Sequence, residues 1–210
     1  MNIVCCENII HLEAVMAGQG KQARVLSEAQ IGAALAAVES SRYPARDRVK
    51  ILLSVRAGLR AKEIALSKWG YVMDAAGNLG DALHLPNVAS KGGNGGRTIP
   101  LNKELRAALA ALMAERKPEA GDRIIHSERD AGMSPGAVQV WFHRLYASLG
   151  FTGASSHSGR RTFVTRVAKK IIEAGGSLRD VQELAGHASL STTQRYIQGD
   201  SEAKRRVVDL

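Results

Sequence analysis

Between residues 69 and 100 the pattern of this chain changes, and that change fixes what it can become. On both sides of this window apolar residues recur every three to four positions, the period of a helix with one buried face. Inside it the period is lost. The turn residues Asp74, Gly77, Asn78 and Gly80 lie between a pair of short apolar segments, Trp69–Met73 and Ala82–Leu85. A glycine-rich run from Lys91 to Gly96 separates the second segment from a third, Arg97–Pro100. A chain patterned this way folds as a mainly α-helical α+β domain with a small three-stranded antiparallel sheet inserted early.

The helices can be placed from their ends. Ser27 and Gln30 have the spacing of a capping box, and Ile31, Leu35 and Val38 follow at helical intervals to about Glu39. Pro44 suits the first turn of a second helix, which carries Val49, Ile51, Leu52 and Val55 and stops near Gly58. A short third helix is expected over Ala61–Ser67. A fourth carries Leu105, Leu109 and Leu112 and ends before Pro118. A fifth opens at Ser134-Pro135 and closes at Gly150. Three more are expected at about 157–173, 177–185 and 191–198. Residues 1–25 are weakly patterned and are expected to form an arm or linker. Residues 26–200 form the domain, and 201–210 a tail.

Composition narrows the partner. The 210 residues carry a net charge of +9, an excess that favours a polyanion. Aromatic residues make up only 4% of the chain, few for gripping single strands by base stacking, so duplex DNA held through its phosphates fits better. The two cysteines, Cys5 and Cys6, are adjacent; they suit neither a disulfide nor a zinc site, and a reducing compartment is expected. No apolar run reaches membrane-spanning length, and Glu7 and Glu13 argue against a signal peptide. A cytoplasmic, nucleoid-associated protein without cofactor or metal is the expectation.

Three stretches carry chemistry. In the first, His157 and Arg160 stand three apart, on one face of a helix that starts there, which is a phosphate-binding geometry. Arg161, Arg166, Lys169 and Lys170 follow with no acid between them; a solvated basic face gives the same pattern. In the second, Gly186 ends one helix and Ser191 begins the next. His187 is then in the connection and Tyr196 on the following helix; either residue could instead be an ordinary packing or structural residue. In the third, Arg60 follows Gly58-Leu59 and precedes Glu63, and a surface salt bridge between Arg60 and Glu63 is the simple reading.

Taken together and in order, these stretches resemble the catalytic domain of tyrosine recombinases, the phage-type integrases. The His-x-x-Arg box resembles His157-Ser-Gly-Arg160. The Leu-Gly-His segment, followed nine residues later by the nucleophilic tyrosine, resembles Ala185-Gly186-His187 and Tyr196, with a serine- and threonine-rich stretch from Ser189 to Thr193 between them. The first catalytic arginine of the family resembles Arg60 in Ala-Gly-Leu-Arg-x-x-Glu. Its hairpin lysine resembles Lys91 ahead of Arg97-Thr-Ile-Pro-Leu101. The resemblance covers roughly residues 25–200. It departs at Ala185, at one extra serine, and in the apolar spacing after Glu63.

The resemblance implies a metal-independent DNA strand-exchange enzyme. Tyr196 is then the nucleophile and forms a 3′-phosphotyrosine. Arg60 and Arg160 clamp the phosphate, His157 accepts the phenol proton, His187 hydrogen-bonds a phosphate oxygen and Lys91 protonates the leaving 5′ oxygen. Glu63 and Asp180 support them, and Arg97, Arg161, Arg166 and Lys169 are expected on DNA. The implied partners are double-stranded DNA, a homotetramer formed on it, and an accessory DNA-bending or directionality protein. Most family members carry a core-binding domain ahead of the catalytic one; about 25 residues are too few for it, so a short single-domain member, an excised domain or a remnant of a mobile element is expected. The alternatives are a catalytically inactive DNA-binding protein of a mobile element and a type IB topoisomerase-like enzyme.

Overall fold

The computed structural model describes residues 23–86, 96–128 and 132–196. Residues 1–22 of the expected arm, the Lys91 tip and the expected tail at 201–210 lie outside the described residues.

Several helices begin where the sequence supplies a partner for their free amides. In α1 (Glu28–Ala37) the Ser27 Oγ accepts from the Gln30 amide, and the Gln30 side chain accepts from the Ser27 amide, so the box closes in both directions. Pro44 opens α2 (Pro44–Val55), and Ala61–Leu66 forms α3. The Asn102 side chain accepts from the amides of Glu104 and Leu105 at the start of α4 (Lys103–Arg116). Ser134 caps α5 (Pro135–Ser148), with Pro135 in its first turn. Then come α6 (Ser158–Glu173), α7 (Leu178–Ala185) and α8 (Leu190–Gln194).

Helix α2 is the axle of the molecule. It packs against both α4 and α6, so nine of its twelve residues are buried, and even Lys50 is enclosed. The lysine is held by Asp47 at 2.9 Å, and its ammonium lies 3.8 Å from the centre of the Trp141 ring. Burial pushes the Lys50 pKa down to about 8, with Asp47 opposing. The close approach of α6 to α2 depends on Gly159. A Cβ there would lie 2.2 Å from the Ser54 Oγ.

β1 (Ala82–Leu85) and β2 (Arg97–Pro100) pair antiparallel, with Leu83 opposite Ile99 and both buried. The expected third strand, Trp69–Met73, is a correction: among the described residues the sheet has two strands, and Trp69–Tyr71 forms a 3-10 turn. The amides of Trp69 and Gly70 donate to the carbonyls of Asp122 and Ala120, which turns the segment into the body of the domain and buries the indole completely. A single bridge from Met73 to Leu79 is all that remains of the strand pairing there.

The buried apolar residues form two clusters. The larger runs through α1 to α5 and the sheet. The smaller holds Phe163, Val164, Ala168, Val181 and Ala185, with Tyr196 packed against it. No helix among the described residues is long and apolar enough to cross a membrane.

Candidate active site

The two clusters meet along α6, and that seam is where the charged residues collect. Arg60 is the residue before α3, and Glu63 lies one turn into it. Glu63 is 1% exposed and is met on every side by donors. It accepts from the Arg60 amide at 2.8 Å and from the Arg60 guanidinium at 3.0 Å. The Arg97 guanidinium, brought in by β2, grips it with both terminal nitrogens at 2.8 and 2.9 Å. Burial pushes the Glu63 carboxyl up, but hydrogen bonds and charge from Arg97, and then Arg60, outweigh this and hold it below the usual carboxylate range. Glu63 therefore stays anionic and leaves a residual positive field from the arginines around it.

Arg160 completes that field. It is buried on the first turns of α6, and its guanidinium donates to the carbonyl of Gly58 at 2.7 Å and of Ala185 at 2.6 Å. Those carbonyls stand just ahead of Arg60 and His187 in the chain, so one side chain ties the two connections together. Its own pKa is lowered by burial and then by the nearby Arg60 charge. A guanidinium remains protonated at neutral pH, so three cations, Arg60, Arg97 and Arg160, face one anion, Glu63.

His187 follows Gly186, which ends α7 in the left-handed conformation at φ 61°. Arg97 also passes over this glycine: a Cβ at Gly186 would lie 2.8 Å from an Arg97 Nη atom. The His187 backbone is clamped by Gln182, whose amide side chain donates to the His187 carbonyl at 2.9 Å. Its Nδ1 lies 3.0 Å from the Thr193 Oγ1. Burial, and then the charges of Arg160, Arg60 and Arg97, push its pKa down to about 4, so the ring is neutral at pH 7. Tyr196 stacks on that ring, 5.4 Å between centroids at 19°, and Arg161 lies 5.9 Å from the centre of the phenol ring. A cavity of about 260 Å³ beside Tyr196 is lined by Ala23, His157, Arg161, Thr192 and Arg195.

Arg60, Glu63, Arg160, His187 and Tyr196, spread over more than 130 positions of the chain, thus share one site. His157 is exposed just before α6 and lines the same cavity as Tyr196. Lys91 lies outside the described residues. The basic residues divide. Arg161 lines the cavity. Arg97 has a side chain only 7% exposed and is taken up by Glu63. Arg166 pairs with Glu28, and Lys169 is exposed further along α6. Asp180 accepts from the Ser177 amide and hydroxyl and caps the start of α7. Sequence reading missed Thr193 and Gln182, and it missed the carbonyls of Gly58 and Ala185. Only Thr193 had a local signal, six residues from a histidine in a turn. Among the described residues no three His, Cys, Asp or Glu side chains stand together as a metal site.

Residues 24–203 match the family model described as the phage integrase family. The tyrosine recombinase XerC of Xanthomonas campestris pv. campestris (strain B100) is 31% identical over 165 residues, 78% of this chain and 48% of that protein. The tyrosine recombinase XerC of Rhizobium meliloti (strain 1021) is 36% identical over 125 residues, 56% of this chain and 37% of that protein. Among solved structures, XerA recombinase superposes with a TM-score of 0.69 at 23% identity, covering 90% of this chain and 65% of that one. A lambda integrase dimer bound to a COC′ core site gives 0.64 at 25% identity, covering 89% and 51%. The chain spans about half the length of the curated relatives it matches.

Proposed function

Since the chain belongs to the phage integrase family of tyrosine recombinases, we propose that its residues 26–200 cleave and rejoin duplex DNA through a 3′-phosphotyrosine at Tyr196. The observation that carries this reading is the convergence of Arg60, Arg160 and a neutral His187 on the stacked ring of Tyr196.

A phosphodiester gains negative charge as an oxygen attacks it, so catalysis is mostly placement and charge stabilisation. Arg60 and Arg160 supply planar, fixed donors for the non-bridging oxygens. Glu63 acts as their brace. Its charge keeps the guanidiniums from repelling one another, and Arg97 keeps the brace in place. His187 adds a neutral N–H donor. Tyrosine has an ordinary pKa of about 10, so forming its anion at pH 7 costs about 4 kcal/mol. His157, exposed at the cavity edge, takes the proton. The Tyr196 Oη–phosphorus bond forms as the bond to the 5′ oxygen breaks, and Lys91 gives that oxygen its proton. The phosphotyrosine stores the bond energy, so a 5′-hydroxyl of the same or a partner strand can reverse the step. In this reading Arg161 and Arg195 at the cavity, and Arg166 and Lys169 along α6, meet the DNA backbone. Exchange between two duplexes calls for a homotetramer on DNA, with accessory proteins setting direction, in the cytoplasm at the nucleoid.

The test uses a library of nicked duplexes randomised around the nick. Wild-type protein is expected to form a protein–DNA adduct that survives denaturant, and Tyr196→Phe is expected to form none. Folded wild-type protein that gives no adduct anywhere in the library would leave a DNA-binding protein without catalysis.

A further inference from the structure

A histidine that is neutral at pH 7 can place its proton on either ring nitrogen, and the two forms do opposite things to a phosphate. With the proton on Nε2 the ring donates a hydrogen bond there; with the proton on Nδ1 the same Nε2 is a base. His187 is neutral here, and its Nδ1 is occupied by the Thr193 hydroxyl at 3.0 Å, while its Nε2 makes no hydrogen bond among the described residues.

We propose that Thr193 is a positioning residue: its hydroxyl donates to the Nδ1 of His187 and holds the imidazole as the Nε2–H tautomer, a hydrogen-bond donor for an anionic oxygen. Counting protons decides between the tautomers. Thr193 is completely buried, and His187 Nδ1 is its one side-chain partner among the described residues. If the threonine donates, its proton and the ring lone pair are both satisfied, and the second ring nitrogen is left to donate outward. If Nδ1 carried the proton, the threonine oxygen could accept it, but the threonine's own proton would be buried without an acceptor. Leaving a buried donor unmade shifts such a balance by roughly tenfold or more. The neighbouring hydroxyls do not compete, because Thr192 is engaged with Ser189 and Ser189 also with Ser191.

The pair is held tightly enough to select. Thr193 is fixed within α8, and the His187 backbone is locked to Gln182 on both sides, its amide donating to the Gln182 carbonyl at 3.1 Å. The ring is pinned flat against Tyr196. A cationic imidazole would add a fourth positive charge beside Arg60, Arg97 and Arg160, whereas a neutral donor adds a hydrogen bond without repulsion. The assignment also removes His187 as the acceptor of the phenol proton and leaves that role to His157. Only this consequence for rate rests on the recombinase reading; the tautomer is a property of the folded chain.

The experiment is long-range ¹⁵N–¹H correlation of the histidine side chains in the full chain at pH 7, with the His187 signals identified by their loss in His187→Gln. The expected result is a protonated, pyrrole-type Nε2 and an unprotonated, pyridine-type Nδ1. Thr193→Val, close in shape but lacking the hydroxyl, is expected to mix or reverse the two, and Thr193→Ser to restore them. On the nicked-duplex library Thr193→Val is expected to slow adduct formation about tenfold to a hundredfold with DNA retention unchanged, the range known for the hydrogen-bond partners that orient metal-ligating histidines. Thr193→Ser is expected to recover most of the rate. A wild-type spectrum with the proton on Nδ1, or a tautomer ratio unmoved in folded Thr193→Val, overturns the assignment. A tautomer that switches as described in a protein that forms no adduct would uphold Thr193 and remove the recombinase reading alone.

Discussion

Replacing Glu63 by glutamine separates two accounts of the Arg60–Glu63 pair by magnitude. An exposed ion pair contributes about 0.2–1 kcal/mol, because water and salt screen it and two mobile side chains must be ordered. Glu63 is 1% exposed and accepts four hydrogen bonds from two arginines, one of which has a side chain only 7% exposed. Glutamine keeps the shape but removes the charge and turns one acceptor into a donor aimed at a guanidinium. Arg97 is then a buried cation without a counter-ion, a defect that costs about 3–5 kcal/mol. For a domain of this size the fall in Tm is roughly 6–20 °C. The assay is thermal and urea unfolding at pH 7 of wild type, Glu63→Gln, Arg97→Met and the double variant. Removing both charges is expected to recover some of the loss, with a coupling of about 1–3 kcal/mol. A single-variant cost under about 1 kcal/mol with additive effects would refute the reasoning. It would mean that the carboxylate behaves as a surface charge and that the arginines need no brace.

Three further outcomes follow from the same geometry. Arg160→Ala is expected to abolish adduct formation while leaving non-specific duplex binding within a fewfold, since its side chain is buried and ties loops; equal loss of both in a gel-shift and adduct assay would make it a plain DNA contact. Acid is expected to weaken the fold in steps of known sign. His187 and His126 are both pushed down to about 4 in the folded state, chiefly by burial, so from about pH 6.5 downward the unfolded chain takes up protons that the folded chain refuses, and stability drops until about pH 4. Glu63, held low, adds its own loss as pH falls from the ordinary carboxylate range through its folded value; urea midpoints across this range check the slope, which His126→Gln is expected to flatten. Gly159→Ala is expected to destabilise by about 1–3 kcal/mol in urea unfolding, because the added methyl meets Ser54 and forces α6 away from α2.

How much of this was legible in the chain depends on how far each interaction reaches. Ser27 with Gln30, Ser134 with Pro135, and Gly186 act within one turn, and the structure has those helix ends where the residues put them. The order of Arg60, His157, Arg160, His187 and Tyr196 could likewise be read, because each stands in its own short motif. Trp69–Met73 misleads for an equally physical reason: its short apolar run beside turn residues suits a strand, but the amides of Trp69 and Gly70 found the 120–122 loop, and the indole found the core. Arg97 reads as a DNA contact because it stands in a basic hairpin; its distance of 34 positions from Glu63 carries no signal of the grip between them.

The sequence by itself determined the helical period, the helix ends, the single interruption for a sheet, and which side chains bring charge and a nucleophile. Those are local matters, settled by backbone sterics, capping and the spacing of apolar residues. Only the tertiary structure decided which of those groups are buried together: Glu63 between two guanidiniums, Arg160 across two loops, His187 between Thr193 and Tyr196. Burial strips water from charged and polar groups and so sets their protonation and their partners. It arises from packing between segments up to more than a hundred residues apart, which no local pattern encodes.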